Sequence, residues 1–110
     1  MVDLVYFRQM ALSFPETNEE PHFEKTSFRV RKKIFATYDE TKNRACLKLT
    51  EADQDIFSLA APGIIYPVDN KWGKQGWTLV ELAKVRKKLF SDTLISAYKA
   101  VAPPKLVEQM

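Results

Sequence analysis

The sequence contains little of what most catalytic or metal sites are built from. It has one cysteine, Cys46, and one histidine, His22, among 110 residues. A single cysteine excludes an internal disulfide and a thiolate metal cluster, and a lone histidine has no ligand spacing typical of a metal site. General acid–base chemistry needs a titratable pair in a pocket, and the pattern indicates none. We therefore predict no catalytic residue, no metal and no cofactor, with Cys46 a small sheet residue and His22 a packing residue at a sheet edge.

Glycine and long apolar runs are also scarce. The three glycines follow no Walker or Rossmann phosphate-loop pattern. The longest uncharged stretch, residues 56–68, is interrupted by Pro62, Gly63 and Pro67, so it is too short and too broken to cross a bilayer. The first residues do not combine a basic segment with an apolar run, so no signal peptide is indicated. We expect a cytoplasmic protein without membrane association.

The composition is that of an ordinary globular domain, and its charges occur in blocks. Hydrophobic residues make up 45% and charged residues 28% of the chain, which predicts one domain over residues 1–110. The net charge is +3. Residues 25–48 carry eight basic and two acidic groups, and residues 71–110 carry eight and three, whereas residues 1–24 and 49–70 are acidic. The blocks either place opposite charges on different faces or form a mixed, solvated surface.

Apolar periodicity predicts an α+β fold. Alternating residues with one polar face are typical of an antiparallel sheet that is covered on one side. The predicted order is α–β(3)–α–β(2)–α, a small antiparallel sheet with helices packed on one face. Strands are predicted at residues 27–31, 33–38, 44–49 and 77–82, with a short edge strand at 21–23, a short strand within 62–68, an acidic connection at 17–20 and a turn region at 69–76.

Within the strand at 33–38, alternation predicts that Ile34, Ala36 and Tyr38 share one face and that Phe35 and Thr37 share the other. Helices are predicted at residues 4–12, 51–60 and 87–101, followed by one further turn at 105–109. Asp3 and Thr50 are the expected caps of the first two. In the first helix, Leu4, Val5, Arg8, Ala11 and Leu12 follow the helical period, with Phe7 flanking the apolar side. In the second helix, the expected buried side is Ile56, Phe57, Leu59 and Ala60.

Basic side chains with neighbouring aromatics suit a nucleic-acid backbone, because cations neutralise phosphates and a ring can stack or wedge. If the alternation holds, four cations share one sheet face, others lie on the adjoining turn and second hairpin, and three begin the last helix. The candidate nucleic-acid-binding residues are Arg29, Arg31, Arg44 and Lys48 on the sheet, Lys32 and Lys33 at the turn, Lys71, Trp72 and Lys74 on the hairpin, and Arg86, Lys87 and Lys88 at the helix.

Two alternatives remain open at this point. The last helix either begins at Lys87, where cations oppose the helix dipole and favour a bound anion, or begins later with Ser91 as its cap, leaving a solvated basic loop. Trp72 and Phe35 are the candidate surface aromatics, but either ring can instead complete the core of a small domain.

Motifs in order along nearly the whole chain resemble the MmcQ/YjbR-like family. They are Glu20-Pro21-His22-Phe23, Ser27-Phe28-Arg29-Val30, Lys33-Ile34-Phe35-Ala36-Thr37, Leu47-Lys48-Leu49, Trp72-Gly73, Gly76-Trp77-Thr78, Val101-Ala102-Pro103 and Lys105-Leu106. The resemblance implies a fold similar to CyaY/frataxin, a "double wing" with wings at residues 27–49 and 72–82. It also implies the predicted DNA binding widely attributed to that family, which brings no established catalytic residues. The sequence departs from the family at Arg86, where an acidic residue is common, and at Pro103-Pro104.

The expected function is a non-enzymatic module that contacts the phosphate backbone of double-stranded DNA through two basic hairpins. Binding is expected to be mostly non-specific, because no helix offers an obvious base-reading row. We expect a monomer. The alternative is a module that binds a protein partner or a small ligand and has no role with nucleic acid.

Overall fold

Alternating polar and apolar residues form a six-stranded sheet in the computed structural model, which describes residues 1–110. The sheet order is β1-β2-β3-β4-β6-β5, and every neighbouring pair is antiparallel. The elements in chain order are α1 (Leu4–Ser13), β1 (Thr17–His22), β2 (Lys25–Val30), β3 (Lys33–Asp39), β4 (Arg44–Lys48), α2 (Glu51–Ala60), β5 (Ile65–Pro67), α3 (Lys71–Lys74), β6 (Trp77–Glu81), α4 (Lys87–Val101) and α5 (Pro104–Val107).

The helices cover one face of the sheet and enclose its core with it. The ring of Phe7 in α1 lies 4.9 Å from that of Phe28 in β2 and 5.0 Å from that of Phe90 in α4. Tyr98 of α4 packs edge-on against Phe35 of β3 at 5.5 Å. The core comprises 22 buried apolar residues. No helix combines the length and the apolar character needed to span a membrane.

The element order differs from the predicted one at the first edge of the sheet. Residues 17–20, expected to be a connection, belong to strand β1, which pairs with β2 from Thr17 to His22. An edge strand needs partners on one side only, so polar residues and Pro21 are accepted there. Residues 17–20 thus form one strand with Pro21 and His22 of the predicted edge segment. Four strands, rather than three, precede α2.

The predicted faces of β3 are confirmed for Ala36, Thr37 and Tyr38 but wrong for Ile34 and Phe35, and a bulge explains why. Phe28 pairs with Ala36, whereas the next residue, Arg29, pairs with Ile34, so Phe35 is an extra residue in the ladder. Phe35 therefore points into the core together with Ala36 and is fully buried. Ile34 instead shares the opposite face with Arg29. Phe35 is not a surface aromatic.

The helix boundaries follow the predictions more closely than the helix faces do. Asp3 and Thr50 accept hydrogen bonds from the backbone of Tyr6 and Asp53, as caps do. In α1 the buried residues are Phe7 and Ala11, whereas Val5 and Leu12 are exposed.

The predicted buried side of α2 is also wrong. Gln54 is its one buried residue, while Ile56 and Leu59 are 60% and 81% exposed and Phe57 is half-buried. Apolar spacing alone did not locate these faces because a polar residue occupies the contact between α2 and the sheet.

The last helix is confirmed at Lys87–Val101. It begins with Arg86 as a cap residue that makes no side-chain hydrogen bond, so the alternative start at Ser91 is wrong. The predicted turn region at 69–76 contains the short helix α3, and the turn expected at 105–109 is the helix α5. In α5, Pro104 occupies the first turn, where its missing N–H is not needed.

Candidate functional site

The face of the sheet opposite the helices is uncovered and carries a mixed set of side chains. Cross-strand partners share a face, and the register places Thr37, Cys46 and Leu79 in one row across β3, β4 and β6. Arg29 and Ile34 form a second row, and Lys48 and Trp77 a third. Since their neighbours along each strand point into the core, these side chains lie on the open face.

A pocket of about 430 Å³ is sunk into this open face. Its apolar lining includes Ile34, Leu79 and Trp77, and Cys46 lies in the same row as Leu79. Proteins hold small organic ligands in pockets of roughly 300–1,000 Å³ with an apolar lining and a few polar groups. The polar and aromatic groups that complete the lining are His22, Lys25, Thr37, Asp39, Arg44 and Trp72.

Two cations of the pocket have no carboxylate partner. The three ion pairs of the molecule are Arg8–Glu19, Arg31–Glu16 and Lys88–Asp92, and none involves Lys25 or Arg44. Burial raises the pKa of the Cys46 thiol to about 11, and the nearby charges of Lys25 and Arg44 oppose that rise. Both cations are therefore close enough to Cys46, in the lining of the pocket, to lower the pKa of its thiol. The raised pKa also keeps Cys46 a neutral thiol, which is a poor nucleophile.

The hydroxyl of Tyr66, in β5, donates a hydrogen bond to the carboxylate of Glu81 in β6. The pKa of Tyr66 is raised first by this hydrogen bond and then by burial, whereas Arg44 lowers it. Arg44 therefore lies beside a polar pair at the edge of the open face. Arg44 stands across the ladder from Asp39 in β3 and from Glu81 in β6, but it forms an ion pair with neither.

Trp72 stands at the border of the pocket on the short helix α3 and is 50% exposed. The side chain of Asn70 accepts a hydrogen bond from the backbone N–H of Trp72 at 2.8 Å, and the Lys71 Nζ lies 5.7 Å from the ring centroid. Gly73 is required behind it, because a Cβ there would collide with the carbonyl oxygen of Val68. The segment is thus closely fixed although the ring itself is half-exposed.

A buried amide attaches this segment to α2. The Nε2 of Gln54 donates to the carbonyl oxygen of Gly73 at 2.9 Å and to the Oγ1 of Thr78 at 3.0 Å, with a longer contact of 3.3 Å to the carbonyl oxygen of Trp77. These acceptors lie on both sides of the turn that carries Trp72 and Trp77. Gln54 therefore holds the tryptophan side of the pocket in place from the opposite face of the sheet.

Part of the predicted nucleic-acid site comes together here. Arg29, Arg44 and Lys48 lie on the open face, and Lys71, Trp72 and Lys74 lie on α3 beside it. Arg29 Nε donates to Ser27 Oγ at 3.0 Å, and Lys48 Nζ donates to the backbone oxygen of Gln75. Neither cation is paired with a carboxylate.

The turn between β2 and β3 contributes less than predicted. Arg31 Nε bonds Glu16 at 3.2 Å, and Lys33 pairs with Val30, on the side of the sheet that the helices cover. Lys32 is exposed at the tip of the turn. The extra residue in β3 accounts for Lys33 alone, because with regular alternation Lys33 would share the open face with Thr37. Arg31 lies in the turn beyond the end of β2.

The three cations that begin α4 belong to the helical layer, not to the open face. The Lys87 Nζ lies 5.1 Å from the ring centroid of Tyr6 in α1, and Lys88 forms an ion pair with Asp92 one turn later. Arg86 is exposed beside them. The predicted set of twelve residues is therefore divided among at least two surfaces.

Sequence reasoning missed Lys25, His22 and Leu79 as parts of one pocket. Lys25 has the same parity as Ser27 and Arg29, so extending the predicted strand by two residues would have placed it on the open face. No signal along the chain would have brought His22 near Trp72, because β1 and α3 lie on different sides of the two central strands.

The chain is similar to known proteins in sequence and in fold. The sequence model of the YjbR family matches residues 12–100. The crystal structure of the Deinococcus radiodurans protein DR2400, described as a DUF419 domain, is similar with a TM-score of 0.81 at 21% sequence identity, over 99% of this chain and 88% of that one. At that identity the likeness concerns the fold alone. No curated protein matches the sequence.

Proposed function

We propose that this chain, which belongs to the YjbR family, is a DNA-binding module without catalytic activity. Its contacts with the phosphate backbone come from the cations of the open face and of α3. These are Lys25, Arg29, Arg44, Lys48, Lys71 and Lys74.

One observation carries the proposal. The cations of the open face and α3 take part in none of the three ion pairs, all of which lie elsewhere, and a half-exposed tryptophan stands among them. Cations that are free of carboxylates can release counterions from a polyanion when they bind it.

Binding is mostly non-specific in this proposal. The one helix beside the open face, α3, is only four residues long, so no extended helix is presented to a major groove, and backbone contacts carry no sequence information. The cations at the start of α4 are excluded from the contact surface because Lys87 and Lys88 are engaged within the helical layer.

We also propose the finer points that the resemblance implies: a CyaY/frataxin-like double wing, a monomeric state and a cytoplasmic location. The wings are supported by the antiparallel strands β2 to β4 and by the β5–β6 pair with α3 between its strands.

The test is a fluorescence-anisotropy titration of a labelled DNA duplex over a salt series. If about five phosphates are neutralised, the logarithm of the binding constant falls against the logarithm of salt concentration with a slope of about −4 to −5. The double variant Arg29→Ala/Arg44→Ala should lower that slope by about 2. The matched control is Lys99→Ala/Lys105→Ala, which removes two exposed cations from the helical layer. Absence of binding to both duplex and single-stranded DNA at low salt would refute the proposal.

A second candidate, a module for a small ligand or a peptide with no role in nucleic-acid binding, is favoured by the pocket itself. A pocket of about 430 Å³ lies within the size range of small-ligand sites. Binding of a small ligand there with no affinity for DNA would support this alternative.

A further inference from the structure

We infer that the pocket of the open face receives an unpaired base of single-stranded DNA, so that the module prefers single-stranded or locally opened DNA to a regular duplex. The inference rests on the proposed DNA binding and names the form of DNA that the site takes. The size, the aromatic side chains and the charge of the pocket support it.

The size of the pocket is compatible with one unpaired base. It is an indentation of about 430 Å³ whose lining includes Ile34 and Leu79. A base within a duplex is stacked on both faces and paired at its edge, so it cannot enter such a pocket without being extruded. An unpaired base is already free of its partner, and its flat apolar faces suit an apolar floor.

Aromatic side chains on both sides of the pocket provide stacking surfaces. Trp72 lines one side and is half-exposed, and Trp77 lies in the floor beside it. His22 lines the other side, and its ring lies 4.8 Å from that of Phe23. Phe23 is 93% exposed at the tip of the β1–β2 hairpin and has a φ of +59°, a conformation that costs a bulky residue free energy. An exposed ring in a strained turn beside a pocket is well placed to stack on a neighbouring base.

The basic side chains around the pocket favour an anionic ligand. Lys25 and Arg44 line the pocket and take part in no ion pair, and Asp39, the one acidic side chain in the lining, is the cross-strand neighbour of Arg44. Lys71, at 5.7 Å from the Trp72 ring, adds a cation on the outer side. Phosphates on either side of a bound base would meet these cations, whereas Asp39 and the hydroxyl of Thr37 can hydrogen-bond the edge of the base. An uncharged apolar ligand would leave Lys25 without a partner.

The experiment compares three probes of equal label: a 12-nucleotide oligothymidylate, a duplex of the same length, and free thymidine monophosphate. Binding is followed by anisotropy for the oligonucleotides and by quenching of tryptophan fluorescence for all three. The wild-type protein should bind the single strand at least about 5-fold more tightly than the duplex, because stacking of one base contributes about 1–3 kcal/mol, or roughly 5- to 150-fold in affinity.

Substitutions show which side chains provide the preference for single-stranded DNA. Trp72→Ala should remove the preference for the single strand, whereas Trp72→Phe, which keeps a stacking ring, should restore most of it. Phe23→Ala should weaken single-strand binding without lowering the melting temperature, because that side chain is exposed. The control Lys99→Ala should leave both affinities unchanged. A thermal melt of each variant shows whether its fold is retained.

The outcomes separate the inference from the proposed function. Equal affinity for single strand and duplex, with no effect of Trp72→Ala, would overturn the inference and leave DNA binding intact. Absence of binding to either form at low salt would overturn both. Tight binding of the free nucleotide without binding of either oligonucleotide would overturn both in favour of a small-ligand module.

Discussion

The side chain of Gln54 should contribute about 2 kcal/mol to the free energy of unfolding, and replacing it with methionine tests this. Gln54 is 7% exposed and donates two good hydrogen bonds, to the carbonyl oxygen of Gly73 and to Oγ1 of Thr78. Each buried hydrogen bond contributes about 1 kcal/mol net. Methionine has a similar shape and no donor, so Gln54→Met removes the bonds with little change in packing.

The loss of unfolding free energy in Gln54→Met is limited to about 2 kcal/mol, because the two carbonyl acceptors keep other donors. The oxygen of Gly73 also accepts from the backbone N–H of Gly76 at 3.0 Å, and the oxygen of Trp77 accepts from that of Val68 at 3.0 Å. Neither carbonyl is left without a hydrogen bond. Urea denaturation, read from the midpoint at constant slope, measures the difference.

A second substitution at the same position adds a pH dependence with a definite sign. In Gln54→Glu, an ionised carboxylate would face three oxygen acceptors without a donor, at a cost of about 3–5 kcal/mol at pH 7. Its pKa in the folded state would be raised, so the folded state binds more protons than the unfolded state and stability rises as pH falls. The variant should therefore recover stability relative to the wild type between pH 7 and pH 4.

Two results would refute this reasoning. If the free energy of unfolding of Gln54→Met lies within about 0.5 kcal/mol of that of the wild type, the amide of Gln54 makes no net contribution to stability. If the difference between Gln54→Glu and the wild type is the same at pH 4 and pH 7, no buried carboxylate faces those oxygens.

Three further predictions concern the core, the thiol and the first basic turn. Phe7→Ala should cost about 3–5 kcal/mol in urea denaturation, because the ring is fully buried between Phe28 and Phe90; a loss below about 1 kcal/mol would contradict that packing. Cys46, with a pKa of about 11, should react with iodoacetamide at pH 8 about 200-fold more slowly in the folded than in the denatured protein, and equal rates would disprove its burial. Replacing Arg31-Lys32 by Asn-Gly should stabilise the protein by about 1 kcal/mol, since both residues have positive φ, +47° and +71°. The same change should barely weaken DNA binding, because Arg31 is paired with Glu16; a large loss of affinity would return this turn to the contact surface.

The sequence predicted elements well and faces less well, for identifiable reasons. The helix at 87–101 and the strands around residues 44–48 and 77–81 follow from local periodicity and from the residues that end them. The burial of Gln54 in place of Ile56 and Leu59 does not, because the contact depends on carbonyl groups some twenty residues away. Hydrogen-bond partners at such separations leave no periodic signal in the chain. Half of the candidate site was therefore predicted by alternation, and the pocket itself was not.

The bulge in β3 connects the fold to the site. With regular alternation Phe35 would project from the open face and Ile34 into the core. The extra residue opposite Phe28 and Arg29 reverses both, so that Phe35 packs against Tyr98 and Phe14 while Ile34 becomes part of the floor of the pocket. A large ring on the open face would fill the space where a ligand is proposed to lie. The same irregularity that completes the core thus keeps the open face concave, as expected of a bulge beside a functional site.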